Sequence, residues 1–101
     1  MGKPFFVYML RCADGAYYVG QTDDLERRIA EHRVGGKCAF TTRRRPVSLA
    51  WSQATPTRDE ATAIEAQIKR WSRVKKEALI QGDFGSLRQA AKKRWPSRSP
   101  E

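Results

Sequence analysis

Apolar residues follow two different periods along the chain. Near the N-terminus, aromatic and β-branched residues dominate two short runs, at 5–12 and 16–21, and the Asp14-Gly15 pair between them is typical of a tight turn. These runs predict an antiparallel hairpin. A third run, which begins after Pro46, predicts a strand whose apolar side chains share one side, namely Val47, Leu49 and Trp51.

Two further stretches have the spacing of helices. "TDDLERRIAEHRVGG" predicts a helix that is capped by Thr22 or Asp23 and ends at the glycine pair after Val34. From about 57 to 81 a longer pattern has a break near Ser72 and an end at Gly82, and its apolar positions recur at spacings of three and four: Ala61, Ile64, Ile68 and Trp71.

These elements define the fold class. The segment "KCAFTTRRRP" is predicted to be a basic loop, "GSLRQAAKKRW" a short final helix, and residues 96–101 a disordered tail. The order is therefore β-β-α-β-α-α, with one domain at 1–95. It predicts an α+β fold with a small, three-stranded, mainly antiparallel sheet flanked by helices.

The net charge of the chain indicates the kind of partner that it binds. The chain of 101 residues has 20 Lys and Arg against 11 Asp and Glu, and its net charge of +9 favours a polyanion such as nucleic acid. A solubilising surface or a contact with acidic membrane lipid is the alternative. No apolar run is long enough to span a membrane, and no secretion signal is recognisable. Cys12 and Cys38 do not form a zinc motif, so reduced thiols and a cytoplasmic location are expected.

Several polar residues are candidates for a chemical site. Tyr8 and Tyr18 are expected to be neighbours across the hairpin, and Gly20 allows close backbone approach there. Arg28 and His32 are four residues apart and share one helix face. For each of them a structural or surface role is the ordinary alternative.

Glu65 lies beside the apolar stripe of the long helical pattern. A carboxylate at such a position either holds a cation or pairs with a basic side chain, and pairing is the commoner case. Taken alone, the residues indicate a basic α+β domain with a polar site between hairpin and helices.

The motifs together resemble the GIY-YIG nuclease family, in particular its short stand-alone members. "FVY" at 6–8 and "YVG" at 18–20 stand where the family has its two name-giving tripeptides. The helix pattern L-x-x-R-I-x-x-H is present from Leu25 to His32, and "IEAQIKRW" resembles the helix that carries the family's glutamate. The resemblance covers about residues 5–81.

This resemblance implies a metal-dependent DNA endonuclease that selects DNA structure rather than sequence and that has a role in repair. Glu65 would bind one Mg²⁺ or Mn²⁺ ion, and Arg28 would clamp the scissile phosphate. Tyr8 and His32 would handle the proton of the attacking water, either one serving as the base, and Tyr18 would bind the phosphate or the water. DNA would be gathered by the basic residues Lys37, Arg43, Arg44, Arg45, Arg70, Arg73, Lys75 and Lys76.

The sequence departs from the family pattern at three points. Phe6 replaces the first glycine, Gln21 follows the second tripeptide where some relatives have a basic residue, and the chain contains no Asn for the family's asparagine role. Two other functions therefore remain open. One is a binding module of the same fold with little or no nuclease activity, directed by a protein partner. The other is a basic RNA-binding protein.

Overall fold

A central strand, β1 (Phe5–Cys12), organises the structure. The structure is a computed structural model, and it describes residues 3–82. Strand β1 pairs antiparallel with β2 (Tyr17–Thr22) on one side and with β3 (Val47–Thr55) on the other, in the order β2-β1-β3. The helices of this range are α1 (Leu25–Val34), α2 (Ala39–Thr42), α3 (Arg58–Lys69) and α4 (Arg73–Gln81).

The predicted fold class is confirmed, because an antiparallel sheet of three strands is flanked by helices. The longer helical pattern is interrupted as expected, and Ser72 caps α4 through a bond from the Lys75 backbone amide. The predicted final helix and the tail at 96–101 lie outside the described residues. No helix among residues 3–82 is long and apolar enough to cross a membrane.

Both faces of β1 are covered. Val7 and Met9 point toward α3 and α4, whereas Tyr8 and Leu10 point toward α1 and α2, and all four are at most 1% exposed. Successive side chains of a strand alternate between faces, so β1 supplies two separate core clusters. The first cluster is completed by Val19, Ala61, Ile64, Ile68, Trp71 and Leu79. The second is completed by Cys12, Ile29 and Val47.

The prediction that three side chains of β3 share one side is wrong. The register shifts between Met9 and Leu10, which face Trp51 and Leu49, so Ala50 is an extra residue in β3. An extra residue of this kind reverses the alternation beyond it. Consequently Val47 belongs to the second cluster, while Trp51 packs against the first.

The start of α1 also differs from the prediction. Asp24, rather than Thr22 or Asp23, is the capping residue, and its carboxylate accepts a bond of 3.2 Å from the Arg27 backbone amide. Thr22 supports the preceding turn, because its hydroxyl accepts a bond of 3.0 Å from the Asp24 amide. The helix ends at Gly35, whose φ of 91° is in the region that favours glycine.

The predicted basic loop contains the short helix α2. Its four residues are too few to give a readable periodicity, which explains why the sequence pattern did not indicate it. Thr41 is the only residue of α2 that is fully enclosed, with no exposed surface. The Thr42 hydroxyl accepts a bond of 2.8 Å from the Gly36 amide and so fastens α2 to the end of α1.

Gly20 provides the space for a large buried side chain. It lies opposite Tyr8 in the β1–β2 register. A Cβ atom at position 20 would lie 2.6 Å from the Tyr8 Oη and 2.8 Å from its Cζ, which is closer than carbon atoms approach without a shift. The Tyr8 ring is 1% exposed and has no free direction in which to move.

We therefore expect Gly20→Ala to destabilise the fold by about 1–3 kcal/mol through overpacking. Chemical denaturation of both proteins measures this difference. In a Tyr8→Leu background the ring is absent, and the same Gly20→Ala change should cost much less. Equal costs in the two backgrounds would show that strand backbone, not the Tyr8 ring, requires the glycine.

Candidate active site

Three rings meet on the α1 side of the sheet. The Tyr8 hydroxyl and the His32 Nε2 are 3.0 Å apart. The ring centroid of Tyr18 is 6.3 Å from that of Tyr8 and 5.2 Å from that of His32. The two tyrosines that the sequence placed across the hairpin are thus neighbours, and the histidine of α1 lies beside both.

His32 lies on the buried face of α1. Ile29 and His32 are three residues apart on the buried face, and His32 is only 3% exposed. A buried imidazole needs partners for both nitrogens. Its Nε2 has the Tyr8 hydroxyl, and its Nδ1 lies 2.8 Å from the Thr41 hydroxyl.

Burial determines the protonation of this cluster. It lowers the pKa of His32, and the nearby Arg28 charge lowers that pKa further, so the imidazole is neutral at neutral pH. Burial raises the pKa of Tyr8, although the neighbouring guanidinium of Arg28 opposes the change. The pKa of Tyr18 is also raised, first by burial and then by its contact with Cys38. Both phenols therefore keep their protons.

Arg28 presents a cation at the edge of the cluster. Its Nη1 donates to the Glu31 carboxylate at 3.0 Å, and its guanidinium lies close enough to the Tyr8 hydroxyl to interact with it. The buried Nε of Arg28 has no acceptor within residues 3–82, and the contact of the guanidinium with the Tyr8 hydroxyl raises the pKa of Arg28. The side chain is 40% exposed, which allows an anion from solvent to reach it.

Glu65 lies on α3, in the helical layer on the other face of the sheet. Its Oε1 accepts a bond of 3.0 Å from Gln21, and its Oε2 forms an ion pair of 3.0 Å with Lys69. Within the described chain no hydrogen bond or ion pair joins Glu65 to the tyrosines, Arg28 or His32. The carboxylate is nevertheless near enough to contribute, as the weakest of several causes, to the raised pKa of Tyr8.

The residues present fit only a weakly held hard cation. No group of three or more His, Cys, Asp or Glu in residues 3–82 is arranged to hold a metal ion. A single carboxylate with 17% exposure suits Mg²⁺, which keeps several waters and takes few protein ligands. Lys69 pairs with the Oε2 of this carboxylate, but the lysine side chain is more than half exposed and can move away to admit a cation.

Sequence reasoning missed three residues of the site. Gln21 drew attention only as a departure from the family pattern, yet it donates to both Glu65 and Thr62. Thr41 and Cys38 lie at α2, within the predicted loop, where no periodicity drew attention to them. The Cys38 thiol interacts with the Tyr18 hydroxyl and with Thr41, and these contacts lower its pKa against the opposing effect of burial.

The predicted DNA contacts fall into two groups on different sides of the sheet. Next to α1 and α2, Lys37 pairs with Glu31, Arg44 pairs with Asp14, and Arg43 is exposed. Arg45 is occupied by the backbone, because it donates to two carbonyl oxygens at 2.8 and 3.1 Å. The second group lies at or after the end of α3 and consists of Arg70, Arg73, Lys75 and Lys76.

Comparison with known proteins shows which family the chain resembles. The family profile described as "GIY-YIG catalytic domain" matches residues 4–78. A UPF0213 protein of Listeria monocytogenes is 45% identical over 75 residues, which cover 74% of this chain and 84% of that relative. A UPF0213 protein of Halobacterium salinarum is 44% identical over 74 residues, which cover 73% and 96%.

Two solved structures are similar to this chain in both fold and sequence. The solution NMR structure of a UPF0213 protein from Bacillus halodurans has a TM-score of 0.53 at 37% identity and covers 88% of this chain and 95% of that one. The solution NMR structure of an E. faecalis protein has a TM-score of 0.58 at 36% identity and covers 82% and 88%. The matched profile spans both tyrosines, α1 and Glu65, and the chain therefore belongs to the GIY-YIG domain family, among its short UPF0213 members.

Proposed function

We propose that the protein is a metal-dependent endonuclease that hydrolyses DNA phosphodiester bonds. The observation that carries the proposal is the buried bond between the Tyr8 hydroxyl and a neutral His32, beside the partly exposed guanidinium of Arg28. Family membership supports the reaction class. A proton acceptor next to an anion-binding donor is what attack on a phosphodiester requires.

In this proposal Tyr8 relays a proton. Its raised pKa keeps the hydroxyl protonated, so Tyr8 alone is a poor base at neutral pH. His32 is neutral and accepts at Nε2, 3.0 Å from the Tyr8 oxygen. As an attacking water gives its proton to the Tyr8 oxygen, the proton of Tyr8 moves to His32. The base is thus the Tyr8–His32 pair, with His32 as the final acceptor.

Arg28 binds the scissile phosphate in this proposal. The exposed part of its guanidinium offers donors that match phosphate oxygens, and its fixed charge stabilises the additional negative charge of the transition state. Glu31 holds one end of the guanidinium in place. Tyr18 keeps its proton and is a donor to the water or the phosphate.

Glu65 would hold the divalent ion, Mg²⁺ or Mn²⁺, with Gln21 orienting the carboxylate. Such an ion, when bound, supplies charge stabilisation for the departing oxygen. Glu65 must exchange its ion pair with Lys69 for the cation, and the exposure of that lysine makes the exchange inexpensive.

We propose further that DNA shape, or a protein partner, directs cleavage. The basic side chains around α1 and α2 contact phosphates, which carry no sequence information by themselves. Their position beside the tyrosines makes this group, rather than the one after α3, the nearer DNA contact. We also propose a cytoplasmic location, in which the free thiols of Cys12 and Cys38 would stay reduced.

A binding module with little nuclease activity is the second candidate. Two observations favour it: both Glu65 oxygens already have partners within the protein, and the chain has no Asn to assist at the ion. In that case Arg28 and the tyrosines would form a phosphate-binding pocket without turnover.

The first test is cleavage of supercoiled and branched DNA with Mg²⁺ or Mn²⁺. We expect Glu65→Gln to lower the nicking rate by about 100-fold or more, because several kcal/mol of charge stabilisation depend on the ion. DNA affinity in filter binding should remain close to that of the wild type.

Glu60→Gln is the matched control, since it removes a charge from the same helix near its exposed start. It should leave nicking unchanged. Equal nicking by wild type and Glu65→Gln would refute the metal site. DNA binding without nicking by the wild type on every substrate would favour the binding module.

The second test compares two adjacent arginines of α1. Both pair with Glu31, but only Arg28 lies at the tyrosine cluster, and Arg27 is 70% exposed. We expect Arg28→Ala to reduce kcat by about 10²–10³-fold, the usual effect of removing one transition-state donor. Arg27→Ala should stay within about fivefold of the wild type. Similar losses in the two variants would indicate general charge rather than a phosphate clamp.

A further inference from the structure

We infer that Thr41 is a positioning residue that fixes the tautomer of His32. In this arrangement Nδ1 carries the proton and donates it to the Thr41 hydroxyl, which leaves Nε2 free to accept from Tyr8. The tautomer itself follows from contacts within the protein. Its value for catalysis rests on the proposed nuclease function.

At the Tyr8 end, the neighbouring cation determines where the hydroxyl proton points. Arg28 offers only donors, and its guanidinium lies beside the Tyr8 oxygen. The lone pairs of that oxygen face a cation, so the hydroxyl proton points away from Arg28. His32 Nε2, at 3.0 Å, is the acceptor in the other direction. Because a neutral imidazole has one donor and one acceptor, an accepting Nε2 places the ring proton on Nδ1.

At the Thr41 end, a separate set of contacts leads to the same tautomer. The Thr41 hydroxyl has a single proton, and the carbonyl oxygen of Cys38, which can only accept, lies 3.4 Å from it. The Cys38 thiol also interacts with the Thr41 hydroxyl. When the proton of Thr41 points toward Cys38, a lone pair of its oxygen faces His32 Nδ1 at 2.8 Å. This again requires the proton on Nδ1.

Thr41 is held firmly enough to enforce this choice. Its side chain has no exposed surface, and the ring of its neighbour Phe40 packs against Tyr18 at a centroid distance of 5.8 Å. Thr42 fastens the same helix to Gly36. A hydroxyl on a surface loop would share its proton with water, whereas the Thr41 hydroxyl exchanges bonds only with the protein.

The tautomer of His32 determines whether its Nε2 can accept the proton of Tyr8. If Thr41 is replaced by Val, which has a similar shape but no hydroxyl, Nδ1 loses its acceptor. The ring can then carry its proton on Nε2, where it would donate toward Tyr8 instead of accepting from it. His32 could then no longer accept the proton of Tyr8.

The composition of the chain makes the test direct. His32 is the only histidine among the 101 residues, so the imidazole ¹⁵N signals of the labelled full-length protein need no assignment. Long-range ¹H–¹⁵N spectra at pH 7.5 distinguish a protonated from an unprotonated ring nitrogen. We expect Nδ1–H in the wild type and in Thr41→Ser, which keeps the hydroxyl. Thr41→Val should show a shift toward Nε2–H.

Thr55→Val is the matched control, because Thr55 is also a buried threonine, and its hydroxyl bonds the carbonyl oxygens of Phe5 and Thr57 and not the imidazole. It should leave the ring signals unchanged. In nicking assays Thr41→Val should lower kcat at least about tenfold with KM unchanged, the usual effect of losing a supporting hydrogen bond, and Thr41→Ser should restore it.

Nε2–H in the wild type, or identical ring spectra for wild type and Thr41→Val, would overturn the inference. The spectra require no DNA and no metal. If no variant nicks DNA while the tautomer responds as expected, the nuclease proposal fails and the assignment of Thr41 stands. Should Thr41→Val not fold, the wild-type tautomer and its retention in Thr41→Ser decide the question.

Discussion

The contact between Tyr8 and His32 depends on the burial of β1, the central strand, on both of its faces. Because α3 and α4 cover one face of β1 and α1 covers the other, the polar end of Tyr8 is enclosed and must find a partner in the protein. Gly20 leaves the volume for the ring, and the spacing of α1 brings His32 to its hydroxyl. Burial then keeps both groups in their neutral forms, so that in the proposed mechanism Tyr8 has a proton to donate and His32 can accept it.

The parts of the site that depend on short-range periodicity could be predicted from the sequence. The predicted hairpin made Tyr8 and Tyr18 neighbours, and their ring centroids are 6.3 Å apart. The four-residue spacing of Arg28 and His32 put both on one face of α1. These inferences hold because strand and helix periods are local properties of the chain.

Features that depend on tertiary context could not be predicted. The extra residue at Ala50 reverses the side of Trp51, and nothing in the alternating pattern of β3 signals it. Helix α2 is too short for a periodic signal, so Thr41 escaped notice. Counting charges also overstated the free basic surface: Arg44 stacks on the Phe40 ring at 3.9 Å and pairs with Asp14, and Arg45 binds carbonyl oxygens. Glu65 was identified, but its bond to Gln21 joins residues far apart in sequence.

The division of the core by β1 has a consequence for substitutions. Tyr8 and Tyr18 pack in the second cluster together with Ile29 of α1, whereas Glu65 stands on α3, a helix that packs into the first. The residues that we propose to handle a proton and the carboxylate that we propose to hold a cation are therefore supported by different sets of core side chains. A substitution in the first cluster, for example at Ile64 or Ile68, alters the support of Glu65 more directly than that of the Tyr8–His32 pair.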